Sequence, residues 1–409
     1  MFLNAVLGPE FIFMTALRQL NAAWRGRKAW RQGGHLDSTL RHCFFANMGG
    51  VHLAFRDRNS AGSPSFPVDC EQLLYLVQHQ HMPRPEISEE DINDRNRADE
   101  LARAIAIVQA LWFTINAVTR AATGLHVTTL ELTTLSFVFQ MTCSSLCWWY
   151  KPMDISRPIT VFVNTDLAAV LHEARAPPIP PGQTPLSFLN RREGFLSRTW
   201  SLYVQILRAI PRFAVRSVQS AGQGQGDCFR SVEFPETELR WELCFCWAVP
   251  AYNTIFLAAW HFSFPSPTER MLWRLAAVYC LLFAVVGCAI GPCFDNRSSI
   301  VSCYQNLARY LKPDAVHNGP RLRSQNAGMS RIDAVIHQAD RRAHDILGRL
   351  RSHDSHLALP VRIVLLTTGL CAVYCWARLY ILLEDVIGLR SLPESAFQTA
   401  NWGQYSPIL

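Results

Sequence analysis

Residues 103–149 read RAIAIVQALWFTINAVTRAATGLHVTTLELTTLSFVFQMTCSSLCWW, and this stretch decides the fold class. Two apolar runs, 103–122 and 128–149, flank a short segment that holds Gly124. A helix needs about 20 mostly apolar residues to cross a bilayer, and each run has that length. Each is also apolar around its circumference rather than along one stripe, which separates a span from a surface helix. The pair predicts a transmembrane hairpin. Three further stretches, 242–262, 271–292 and 361–383, have the same character, and a shorter sixth, residues 1–17, carries Glu10. The expected fold is therefore all-α: a polytopic helical membrane protein with about six transmembrane helices and three long cytosolic loops carrying amphipathic helices.

Composition agrees with this reading. Of 409 residues, 49% are hydrophobic and 17% charged, against roughly 25% charged in an average soluble domain. The net charge of +7 comes from 39 Lys and Arg against 32 Asp and Glu, too even a balance for a nucleic-acid binder. Loops 18–102, 150–241 and 293–360 hold 11, 11 and 10 cations, 32 of the 39, whereas segments 123–127, 263–270 and 384–409 hold none, one and one. The positive-inside rule then places the three long loops in the cytosol and both termini opposite. Arg18, Arg25, Arg27, Lys28 and Arg31 follow the first span, Lys151 and Arg157 the third, and Arg240 precedes the fourth. Residues 1–17 lack the basic start of a signal peptide, and read as the end of a longer N-terminal membrane region. The sequon Asn296-Arg297-Ser298 falls in a cytosolic loop, so no glycan is expected there.

The loops carry local signals. Asp69 is placed to cap a short helix, and Ser88 with Asp91 forms a capping box leading toward residue 103. Glu89, Glu90, Asp91 and Asp94 read as a solvated helix start rather than a metal set. RAPPIPPGQTP, residues 175–185, is a Pro-rich linker and also fits a polyproline ligand for a protein partner. Arg208, Arg212 and Arg216 recur four apart beyond it, the pattern of a helix lying on a membrane surface and contacting anionic lipid headgroups. Ile332, Val335, Ile336, Ala339, Ile346 and Leu350 recur at helical spacing opposite Arg331, Arg341 and Arg349, and predict a further amphipathic helix.

Catalytic signals are weak. His52 and Asp57 form His-x-x-x-x-Asp, a pairing used in glycerolipid acyltransferases, but composition alone makes such a pair common and no phosphate-binding motif follows it. The 13 cysteines are scattered through apolar runs and read as small packing residues; no cofactor or metal set is indicated. The polar groups inside the spans are more informative. Arg120 and Glu131 lie on either side of the turn at Gly124, at comparable depth, and are expected to form an ion pair, because a charge left to lipid costs about 2.5 to 3.5 kcal/mol near the centre of a span and less near its end. Asn116, one turn deeper, Asn253 and His261 extend a candidate polar site open to the non-cytosolic side. Arg274 and Arg378 are expected to pair with Glu269, Glu384 or Asp385, or to snorkel.

Several strings carry a resemblance: HCFFANMGG (42–50), RADELARAIAIVQALWF (97–113), GLHVTTLELTTL (124–135), WWYKPMD (148–154) and the C-terminal FQTANWGQYSPIL. They resemble a family of uncharacterised multi-pass integral membrane proteins of filamentous ascomycete fungi, from near residue 8 to the C-terminus. The resemblance implies a fungal membrane protein, with Arg120, Glu131, Trp148, Trp149 and Lys151 inside matching strings, and supplies no reaction. Members have further apolar segments upstream and end in a Pro-His pair, where this chain has Pro407-Ile408.

The function expected is that of a scaffold, receptor-like or accessory membrane component without catalytic activity. The alternative is a membrane-embedded enzyme acting on a lipid or isoprenoid intermediate. A transporter ranks below both, since no internal repeat relates the spans.

Overall fold

Pro9 opens the first helix, α1 (Pro9–Gln32), at a position where its missing N–H costs nothing and its fixed φ favours the helix. The structure, a computed structural model, describes residues 7–55, 65–94, 100–152, 155, 157–163, 165–174, 184–186, 238–295 and 361–398. Phe13, Ala16 and Leu17 of α1 pack with Cys147, Ala248, Val249 and Ala284 in a helical bundle, whereas Ala23 and Trp30 join a separate core. The helix is continuous across residue 17, so the basic residues expected in a loop extend it instead.

The second core belongs to a mixed cap. It is built from α2 (Leu40–Asn47), β1 (Val51–Phe55), β2 (Phe66–Pro67), α3 (Cys70–Gln78), α4 (Glu89–Asp94), β3 (Ile159–Val163) and α7 (Leu167–Glu173). Asp69 caps α3 as its position suggests: its carboxylate accepts from Glu71 N at 2.8 Å and Gln72 N at 2.9 Å, while Gln72 Oε1 accepts from Asp69 N at 3.1 Å. Ser88 and Asp91 form the same device at α4, with Asp91 N donating to Ser88 Oγ at 3.0 Å. Gly26 lets α1 approach α3, since a Cβ there would sit 2.8 Å from Cys70 Sγ, and Trp30 Nε1 donates to Cys70 O at 3.0 Å beside it. Phe44, Phe45, Leu53 and Leu76 are fully buried in this core, each contributing about 1.5–3 kcal/mol of apolar transfer.

The three-stranded sheet, order β2-β1-β3, corrects the all-helical expectation. VHLAF and ITVFV are short β-branched and aromatic runs, which pleated pairing suits better than a helix of five residues. β1 pairs with β3 in parallel, from Val51 opposite Ile159 to Phe55 opposite Val163. The first two long loops are therefore one folded unit rather than separate tethers. Gln72 Nε2 donating to Leu186 O at 3.1 Å and Thr165 Oγ1 donating to His81 O at 3.0 Å tie them further.

The bundle contains α5 (Glu100–Ala122), α6 (Thr129–Cys147), α8 (Leu239–Ile255), α9 (Pro267–Asp295) and α10 (Val361–Ile387), with the first half of α1. α6 packs against α1, α5, α8 and α10. Among the described residues, four helices are long and apolar enough to cross a membrane, at Ala104–Ala122, Arg240–His261, Pro267–Ala289 and Leu366–Ser391, against the six crossings expected. α6 has the length but carries Glu131, Gln140 and seven Ser or Thr. Its Thr133, Ser136, Gln140 and Ser144 are buried along one face, and Ser136 and Ser144 hydroxyls donate to carbonyls of their own helix. The shortfall in apolarity thus sits where neighbouring helices cover it. α5 is the reverse: Val108, Leu111, Trp112, Ile115 and Val118 are exposed.

The two ends of the bundle differ. At one end stands the cap. At the other, the α5–α6 turn meets the α8–α9 connection, where His126 and Phe262 rings lie 5.8 Å apart, and the segment after α10, where Arg390 pairs with Glu269. The interfacial stripe Arg208, Arg212 and Arg216, most of the Pro-rich segment, the amphipathic helix of 332–350, Asp57 and the sequon at Asn296 lie outside the described residues.

Candidate functional site

The turn between α5 and α6 is built by residues that demand it. Gly124 takes φ +73°, a left-handed conformation glycine adopts without strain, and Thr128 caps α6 with Glu131 as its reciprocal partner. Thr128 N donates to Glu131 Oε2 at 2.9 Å, and Glu131 N to Thr128 Oγ1 at 3.1 Å. This fixes the Glu131 carboxylate, whose Oε1 accepts from Arg120 Nη1 as an ion pair. Arg120 Nη2 donates to His126 O at 2.7 Å and to Ala396 O at 2.8 Å. The expected Arg120–Glu131 pair is therefore present, and it ties the turn to the segment after α10.

The other residues of the sequence-derived site do not join it. Asn116 is half-buried one turn away on α5, and His261 is exposed at the end of a 3-10 helix, Phe256–His261. Asn253 is buried in α8, its Nδ2 donating to Val249 O at 2.9 Å. These three, chosen by depth alone, are scattered around the bundle because depth says nothing of the face each occupies.

A second polar group forms deeper. Arg378 of α10 is fully buried, and it neither snorkels nor pairs with the carboxylates nearest in sequence. Its Nη2 donates to Tyr252 Oη, and its guanidinium lies 5.5, 5.2 and 4.8 Å from the ring centres of Phe137, Tyr252 and Phe256. Glu10 of α1 and Tyr374 of α10 are buried in the same region, and Glu10 Oε2 and Tyr374 Oη have no hydrogen-bond partner among the described residues. Arg378 Nε and Nη1 have no hydrogen-bond partner among the described residues. The two open N–H groups of Arg378 can serve an oxygen acceptor. The signal available in the sequence is the opposite sign of Glu10, the lone charge of residues 1–17, and Arg378, one of two cations in residues 361–383.

Of the remaining charges near the bundle's far end, Arg274 and Glu384 have local partners, whereas both Asp385 oxygens have no hydrogen-bond partner among the described residues. Arg274 donates to Trp260 O from Nε at 3.1 Å and from Nη2 at 2.6 Å, not to a carboxylate. Glu384 accepts from Tyr380 Oη at 3.2 Å, and Asp385 is buried facing Thr129 and Thr133. At the cap end, Lys151 Nζ and Trp148 Nε1 both donate to Gln19 Oε1, at 2.8 and 2.9 Å. Burial pulls the Lys151 ammonium down to about 8. In the cap, His52 Nδ1 lies 3.5 Å from Ser65 Oγ.

No curated protein and no solved structure matches the chain. Residues 15–173, which span most of the cap and the α5–α6 hairpin, match the model of a family of unknown function (DUF8562).

Proposed function

We propose that the chain is a multi-pass integral membrane protein of an endomembrane or the plasma membrane, of the fungal family its strings resemble. It serves as a scaffold, receptor-like or accessory component rather than an enzyme. The observation that carries this is the segregation of the bundle's two ends. The three cation-poor segments gather at one end, around Arg120, Glu269 and Ala396, and the cap, supplied by two loops that hold 22 of the 39 cations, stands at the other. Four helices of spanning length and the exposed apolar face of α5 support it, since such a face needs apolar surroundings. Pairing of β1 with β3 also requires both to lie on one side, which a hairpin of two crossings between them permits.

The test is carbonate extraction with glycosylation tags inserted at Gly124 or between His79 and His81. The chain should remain in the membrane pellet, with the first tag glycosylated and the second not. Release by carbonate overturns the membrane reading, and glycosylation of the cap tag overturns the orientation.

A second reading, an enzyme acting on a lipid or isoprenoid intermediate, draws on the open N–H groups of Arg378 beside Tyr252, Tyr374 and Glu10. Metabolite and lipid profiling of a deletion strain separates the two. An intermediate that accumulates, and is cleared by wild type but not by Arg378→Gln, favours the enzyme; an unchanged profile with altered growth favours the scaffold.

A further inference from the structure

α1 carries Trp24, Arg27, Lys28 and Arg31 at i, i+3, i+4 and i+7, and hence along one face. Ala23, Gly26 and Trp30 occupy the face buried in the cap. The basic stripe turns toward the start of α8, where the Arg240 guanidinium stacks 3.9 Å over the Trp24 ring and pairs with Glu238 at 2.8 Å. Trp24, Arg27, Lys28, Arg31, Glu238 and Arg240 line an open cavity of about 580 Å³. Among the described residues, Arg27, Lys28 and Arg31 form no ion pair, and the cavity's one lining carboxylate is already held by Arg240. Three converging cations repel one another, and an anion between them relieves that repulsion.

Position and chemistry narrow the anion. The cavity lies where α1 leaves the bundle, above Leu17, and where α8 enters it. Trp24 suits that level, since tryptophan concentrates at membrane–water boundaries. Guanidinium groups fit phosphate oxygens in pairs. Below Arg240, Leu243 and Trp247 follow at i+3 and i+7 on the same flank of α8 and are exposed, so the basic cavity continues into an apolar track. We infer that this cavity binds the phosphorylated headgroup of a membrane lipid, with its acyl chains along Leu243 and Trp247. The inference rests on the spanning reading above and adds a ligand class and a site to it.

Native mass spectrometry of the full chain in detergent, titrated with phosphatidylinositol 4-phosphate or phosphatidylcholine, tests it. Wild type should retain one phosphoinositide in preference to phosphatidylcholine. The triple variant Arg27→Gln, Lys28→Gln, Arg31→Gln should lose that affinity by about a hundredfold, as the removal of three interfacial cations implies. Single Arg31→Glu, at an exposed site in the last turn of α1, should also weaken it should the triple variant misfold. A control of equal charge loss on the cap, Arg41→Gln, Arg84→Gln, Arg157→Gln, should bind as wild type. Equal loss in the control, or wild-type binding by both α1 variants, overturns the site. Displacement of the lipid by equimolar inorganic phosphate overturns the lipid as its source. Carbonate extraction of the membranes from which the chain is purified reports separately on the spanning reading: retention in the pellet with no lipid bound by the purified chain sinks the site alone, and release sinks both.

Discussion

Arg120 illustrates how a charge is kept inside an apolar bundle: it is met by a carboxylate and two carbonyl oxygens, so little of its charge is left to its surroundings. Removing it strands Glu131. With the two side chains 13% and 24% exposed, Arg120→Leu should lower stability by about 1–3 kcal/mol, below the cost of breaking a fully buried pair. Adding Glu131→Gln, which keeps the capping bond but removes the charge, should restore part of it, as thermal melts in detergent will read. Lys151 gives a pH-dependent case. Its ammonium is held down to about 8 by burial, from an ordinary 10.5. The unfolded chain therefore binds more protons between those values, and the stability of the wild type rises with pH through that window. Lys151→Met should lack this rise, so the melting temperatures of the two proteins should move apart between about pH 8 and 10.5. The Arg120–Glu131 pair was legible in the sequence because one short turn fixes both depths. Arg378 was not, because its partners Tyr252 and Glu10 come from helices far away in the chain, and sequence distance carries no information on which faces meet.

At the level of elements, small residues set the approach of α1 to the cap. Gly26→Ala places a methyl group 2.8 Å from Cys70 Sγ, and should cost about 1–3 kcal/mol through overpacking, seen as a lower melting temperature without loss of membrane association. The caps of α3 and α4 could be read directly from Asp69 and from Ser88 with Asp91, because a cap is a local device whose donors and acceptors lie within three residues. β1 and β3 were hidden for the opposite reason. An apolar run of five residues is consistent with strand or helix, and what decides it is a partner strand elsewhere in the chain. α6 had the length of a span, and its polar residues were visible. That they line one face, covered by α1, α8 and α10, follows only from packing.

The whole molecule joins a helical bundle to a mixed cap through α1, which contributes to both cores. The charge count foreshadowed the separation of ends, since cations gather in the loops that supply the cap. It could not foreshadow that two of those loops fold as one body. Breaking the sheet should separate the two layers. Val161→Pro removes a ladder donor opposite Leu53, and on the proposed topology should make the cap sensitive to protease added from the cytosolic side while fragments containing the α5–α6 hairpin stay protected. The pairing of β1 with β3 also has a temporal meaning. The two strands are separated by roughly a hundred residues, and a contact that distant forms late. On the spanning proposal, β1 waits during synthesis, with one edge open, until α5 and α6 have entered the bilayer and β3 has emerged. On the proposed topology, closure of the sheet would then record that α5 and α6 have crossed as a pair, and a chain in which only one of them crossed would leave the β3-facing edge of β1 open and recognisable to chaperones.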